Sequence, residues 1–175
     1  MNKTLTVGIA ALALLLTAGL APRAQAVYFS VDVPVAAHFE VEDFSADLDS
    51  LSGYKLGLGN LIGWFGVGYE SYKGDFKPSQ FSEAVELDYT FTNLLLDLPI
   101  PLMNLTLGYG VGEIVAEDGK PSWDATQQFI NLGIPIGAVF DVHLGYHVIS
   151  GDSNNKPDTG DAKATTTTVG VRVGF

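Results

Sequence analysis

The chain has 175 residues, a formal net charge of −11 and no cysteine, which excludes disulfides and thiolate metal centres. Without its first 26 residues it keeps 149, with 7 basic and 20 acidic side chains, a net of −13. A chain this acidic lacks the basic footprint of a nucleic-acid binder, while its loops suit divalent cations or basic partners.

In chain order, the first feature is Lys3, an apolar run from Val7 to Leu20, and then Ala24-Gln25-Ala26. A charged start, an apolar middle and a small-x-small end predict a secretory signal peptide, residues 1–26, cut after Ala26. The competing reading is a membrane-anchor helix. The run is shorter than the roughly 20 residues that a spanning helix needs. Residues 27–175 have the length of one domain. They hold no apolar run long enough for a helical span, so any insertion must be by strands.

Beyond residue 26 the pattern has period two, not 3.6. From Val27 to Phe39 the odd positions are apolar, and the even ones include Ser30, Asp32 and His38. The expected lipid face continues at Tyr54, Leu56, Leu58, then Phe65, Val67, Tyr69, then Val85, Leu87, Tyr89, Phe91. It goes on with Met103 to Val111, then Ile130, Leu132, Ile134, then Ala138 to Val148, and ends at Val169, Val171, Val173, Phe175. Eight alternating segments predict an all-β fold, an eight-stranded antiparallel up-and-down transmembrane barrel, whose closure removes the edges that lipid cannot satisfy.

The connections point the same way. Gly59-Asn60 and Pro135–Gly137 read as tight turns, and Asn93–Pro101 as an apolar link. Glu40–Ser50, Lys73–Gln80, Ala116–Asp124 and Gly151–Ala164 read as longer polar loops. Short turns face the periplasm in such barrels and long loops face outside, so both termini are expected in the periplasm. Phe29, Phe65, Phe91, Phe140 and Phe175 are expected to form one aromatic belt. Phe39, Tyr54, Tyr69, Phe81 and Tyr146 are expected to form another, about 25 Å away. A soluble lipocalin-like barrel shows the same alternation, but its outer face carries many charges. Here the polar positions are mostly Gly, Ser, Thr and Asn.

With its leader ending Ala24-Gln25-Ala26 and its last strand Thr165–Phe175, the chain resembles the small eight-stranded outer-membrane proteins of Gram-negative bacteria, the OmpX, OmpW and OmpA-membrane-domain type. Val169, Val171, Val173 and Phe175 look like the C-terminal signal that such proteins present to the outer-membrane assembly machinery. The resemblance implies passage by periplasmic chaperones, a place among outer-membrane lipids and lipopolysaccharide, and roles from envelope structure and adhesion to small-solute passage and lipid modification.

An eight-stranded barrel is wide enough only for its own side chains or one small ligand. Parity places Asp32, Lys55, Glu70, Glu86, Asp88, Asp141, Arg172, His38, His143 and His147 inside, where ionisable groups are costly. Arg172 is expected to bridge Asp32 and Asp141, and Lys55 to pair with Glu70. Gly108, Gly110 and Gly112 leave a bare interior stripe, either filled by large side chains opposite or open as a narrow lumen pocket near His143 and His147. Those two histidines stand roughly 13 Å apart along one strand and cannot share a metal. No Gly-x-Ser-x-Gly elbow occurs. Ser150 and His147 fall on opposite faces, so neither an enzyme nor a cofactor is expected. The acids of Glu40–Ser50 suit a solvated loop, or divalent cations bridging lipopolysaccharide phosphates, but no calcium-loop motif is present. The expected role is that of a monomeric envelope-structural or surface-interaction barrel, with a narrow channel or small-ligand barrel as the alternative.

Overall fold

A computed structural model of the chain describes residues 27–42, 44–77, 84–100, 102–116, 121–136, 139–154 and 160–174. The expected leader, Phe81, Ala138 and Phe175 lie outside the described residues. Eight strands follow in order: β1 (Tyr28–Val41), β2 (Phe44–Ile62), β3 (Phe65–Phe76), β4 (Val85–Ile100), β5 (Met103–Ala116), β6 (Ser122–Ile136), β7 (Phe140–Ser153) and β8 (Ala162–Gly174). Each pairs antiparallel with the next, and β8 returns to β1 to close the barrel. Closure satisfies the backbone of every strand without leaving an edge.

The β2–β3, β4–β5 and β6–β7 connections lie at the end where β1 begins and β8 finishes, here called the terminal end. The β2–β3 turn uses a glycine where one is needed: Gly63 has φ of 64°, a left-handed conformation that costs other residues. The opposite, loop end holds the other connections. Three segments differ from expectation. Gly59-Asn60 is not the turn but lies within β2, and the chain reverses at Gly63 and Trp64. Glu40–Ser50 is not a loop but the top of the β1–β2 hairpin, with Val41 paired to Phe44. Asn93–Pro101 is largely strand, since β4 runs to Ile100.

On β2, β3 and β5–β8 the outward face is the expected one, and Val111, Leu144 and Val171 are about half exposed. On β1 the expected parity fails midway. Pairing to β8 shifts between Pro34 and Ala36, a bulge at a proline that has no N–H for the ladder. Beyond Val35 the faces exchange. Ala37 and Phe39 therefore point inward, and His38 outward. β4 is reversed throughout: Leu87, Tyr89, Phe91, Asn93, Leu95 and Asp97 are buried, while Glu86, Asp88 and Thr90 face outward. Phe39 and Phe91 thus leave the expected aromatic belts. Tyr54, Tyr69, Tyr109 and Tyr146 remain exposed toward the loop end, and Phe29, Phe65 and Phe140 toward the terminal end.

The reason for these reversals is the interior, which has two halves. Toward the loop end it is an apolar core of Phe39, Phe76, Leu87, Tyr89, Trp123 and Ile149 with small alanines between. Phe39 sits at its centre, its ring 4.9 Å from Phe76, 5.7 Å from Trp123 and 6.3 Å from Tyr89, all edge-on. Toward the terminal end the lumen is polar and ionic.

Candidate functional site

The polar half of the lumen begins at the seam where β8 closes on β1. His143 on β7 faces Asp141 Oδ1 through Nδ1 at 3.1 Å and Asp32 Oδ1 through Nε2 at 2.6 Å. The second contact crosses over β8 at Gly170, the ladder partner of both Asp32 and His143. A Cβ there would stand 2.5 Å from His143 Nε2 and 2.7 Å from Asp32 Oδ1, so only glycine leaves the passage open.

Arg172 does not bridge Asp32 and Asp141. Its Nε lies 3.4 Å from Asp141 Oδ2, its ladder partner's carboxylate, but the guanidinium turns away from Asp32. Nη2 donates to Thr106 Oγ1 at 2.7 Å, and Nη1 is 3.7 Å from Asp97 Oδ1. The group also lies over the Tyr28 ring, 4.0 Å from its centre. Asp97 is the acid that the sequence reading missed. It accepts from Tyr28 Oη at 2.7 and 2.9 Å and from Thr106 Oγ1, so Arg172, Tyr28, Thr106 and Asp97 form one closed network. The signal was present: a single acid in the apolar run Leu94–Leu98 can only point inward.

One layer higher, Lys55 stands between Asp32 and Glu70 in the ladder and crosses the lumen to lie 3.6 Å from the centre of the Phe129 ring. Phe129 stacks on His147, with centroids 4.6 Å apart. His147 Nδ1 donates to Gln127 Oε1 at 3.2 Å and lies 3.7 Å from Glu70 Oε2. Gln127 donates to Asn93 Oδ1 at 2.6 Å, and Asn93 to Glu70 Oε2 at 3.3 Å. Asp32, Lys55, Glu70, Asp141 and Arg172 are all buried, in two linked groups, with Lys55 beside Glu70 in the ladder.

The glycine stripe is filled. An added Cβ would meet Phe129 at Gly108, Asn93 and Gln127 at Gly110, and Phe91 with the Thr90 carbonyl at Gly112. His143 and His147 are engaged in the networks above rather than lining an opening. Ser150 faces outward and His147 inward, so they do not meet.

Glu86 and Asp88, expected inside, are outside. They flank Lys73, whose Nζ is 3.2 Å from Glu86 Oε1 and 2.9 Å from Asp88 Oδ1. Toward the loop end, the described outer surface carries Glu40, Glu42, Asp47, Asp49, Asp75, Glu113, Asp124, Asp152 and Asp161, but only Lys77 and Lys163 besides Lys73.

A closed eight-stranded barrel with an outward apolar band, aromatic residues at both margins and a packed lumen is the architecture of a small outer-membrane β-barrel protein. No family model matches the chain, and no curated protein sequence matches it. Among solved structures it is similar to Neisserial surface protein A, with a TM-score of 0.62 and 16% identity, over 85% of this chain and 97% of that one. It is also similar to Ail, the attachment invasion locus protein of Yersinia pestis, solved in complex with the heparin analogue sucrose octasulfate. There the TM-score is 0.47 and the identity 15%, over 86% of this chain and 99% of that one.

Proposed function

We propose that this protein is a monomeric barrel of the bacterial outer membrane that acts through its loop end, in an envelope-structural or surface-interaction role, and not as a conduit. The observation that carries this reading is the filled lumen. An apolar core seals the loop half, and linked ionic networks occupy the terminal half. A narrow channel or small-ligand barrel would need the glycine stripe, and Phe129, Asn93, Gln127 and Phe91 occupy it. What remains accessible is the outer wall and the loops.

In this reading the terminal end, with its short turns, faces the periplasm, and the four connections of the loop end face outside, where specificity resides. Lipids and lipopolysaccharide surround the apolar band. Periplasmic chaperones and the assembly machinery deliver the chain, with Val169, Val171, Val173 and Phe175 as the signal they read. Val169 and Val171 face outward on β8, on the face a recognition partner would meet. The acidic loop end favours cationic surfaces or divalent ions over anionic polymers.

Recording from planar bilayers containing the folded barrel tests the reading. No openings are expected. Reproducible conductance steps would replace it with the channel.

A further inference from the structure

The three turns of the terminal end are apolar at their tips. Ile62 is 80% exposed in the β2–β3 turn, Leu102 86% between β4 and β5, and Ile134 70% near the end of β6. Trp64, Ile136 and Val139 extend this fringe. Turns that stand in water favour Gly, Pro, Asn, Asp and Ser, and a contiguous apolar surface marks a place that something covers.

Charge is absent where these tips are. Over 27–37, 50–72, 89–112, 125–151 and 164–174, the Asp, Glu, Lys and Arg residues are Asp32, Lys55, Glu70, Asp97, Asp141 and Arg172. All six are buried in the lumen. Among the described residues, the outer wall therefore carries charge only toward the loop end, from residues such as Asp88, Glu113 and Asp124 onward. From there to the tips, β4 and β6 each run about a dozen residues, roughly 28 Å of height at the usual rise and tilt. The lipid-facing band of a membrane barrel is about 25 Å tall. The uncharged wall is thus one such band in height, with no charged rim left over at the terminal end.

The backbone of the turns is prepared for the same surroundings. The Trp64 carbonyl accepts from the Asp97 amide at 2.8 Å, and the Val139 carbonyl from the Gly174 amide at 2.9 Å. Pro135 has no N–H to satisfy. Backbone that leaves water needs its polar groups paired in this way.

We propose that the terminal end does not project from the membrane: its three turns lie in the interfacial layer of a phospholipid leaflet, with Ile62, Leu102 and Ile134 against the first acyl methylenes. The fringe occurs on all three turns and continues, without a charged break, into the wall that lipid covers. A protein partner would have to cap the whole end, whereas a membrane meets the three turns together. The barrel is thereby set off-centre, with its surplus height on the loop side. In the orientation proposed above the leaflet is the periplasmic one, and the contact does not depend on what the loops recognise.

The chain has no cysteine, so single ones can carry a nitroxide label. Ile62→Cys, Leu102→Cys and Ile134→Cys test the tips, with Leu144→Cys as the lipid reference and Lys163→Cys as the water reference. Each labelled barrel is folded into phosphatidylcholine vesicles. Electron paramagnetic resonance then reads collisions with oxygen, which favours lipid, and with a water-soluble nickel chelate present on both sides of the membrane. Nickel collisions at the tips are expected to be about fivefold fewer than at Lys163, the scale on which ionised groups are disfavoured near the interface. Oxygen collisions should match those at Leu144. Nickel collisions equal to those at Lys163 would place the turns in water and overturn the proposal. Tips shielded from both probes would also overturn it, in favour of a second copy of the chain covering this end. The tips are read separately, so a label that blocks insertion at one leaves the other two to decide, and either of those in water overturns it.

Discussion

His143 Nε2 lies 2.6 Å from Asp32 Oδ1, although β8 separates their strands. The contact spans the closing seam of the barrel and ties the first strand to the last hairpin. It exists because Gly170, between them, has no side chain. The same geometry frees Arg172 to turn toward Asp97 and Thr106, so one glycine decides the partners of two ion groups.

Gly170→Ala should therefore destabilise the barrel by about 1–3 kcal/mol, the usual cost of forcing atoms into a packed interior. Gly174→Ala, with nothing within 4 Å of its added Cβ, should stay within about 0.5 kcal/mol of the parent. Urea titrations in lipid vesicles give both values. Similar costs at the two sites would remove Gly170 from this account.

Arg172→Met leaves Asp141 and Asp97 without their guanidinium and should cost about 3–5 kcal/mol. Arg172→Lys should recover only part of that, because a point-like ammonium cannot reproduce the planar fork. A double-mutant cycle separates the observed partner from the expected one. Coupling of about 0.5–3 kcal/mol is expected between Arg172 and Asp97, and less than about 0.5 kcal/mol between Arg172 and Asp32. The opposite ranking would restore the bridge predicted from parity.

Cations placed on the outer wall should read its depth. Leu144→Arg and Leu107→Arg lie in the apolar band and should cost roughly 2–4 kcal/mol, while Thr126→Arg, closer to the acidic margin, should cost about 0–1 kcal/mol. Equal penalties in folding titrations would mean that no hydrocarbon meets this surface.

The bulge at Val35 makes the sharpest test of the fold. Deleting Val35, which has no partner on β8, would restore a regular ladder with Phe39 still inward and His38 still outward. The deletion should therefore keep the folded form, whereas Phe39→Ala should cost about 3–5 kcal/mol. The shift in gel mobility between heated and unheated samples reports the folded fraction. A deletion variant that no longer folds would mean that β1 does not change faces.

Strand number, closure and the lipid face of six strands were legible in the sequence because alternation there pairs aliphatic side chains with glycine, serine and threonine. The misreadings on β1 and β4 share a cause. Alternation says that two faces differ, but not which of them meets lipid. Leu87, Tyr89 and Phe91 fill a lumen core, yet they read the same as a lipid face. Parity places Glu86 and Asp88 inside because it cannot tell a charge on the outer wall from one in the lumen. On β1, a single inserted residue at Pro34–Val35 reversed every side chain beyond it. The ion cluster was legible in its membership more than in its pairing: Asp97 was hidden by the leucines around it, and the role of Gly170 depends on a contact between strands that are not neighbours.

The apolar core at the loop end also separates two kinds of variation. Phe39, Phe76 and Trp123 pack together at this end of the lumen, and Trp123 Nε1 ties Gly160, just before β8, to the layer by donating to its carbonyl at 2.9 Å. Substitutions beyond this layer leave the ionic networks beneath it untouched, so the loop end and the polar half of the lumen can vary independently of each other.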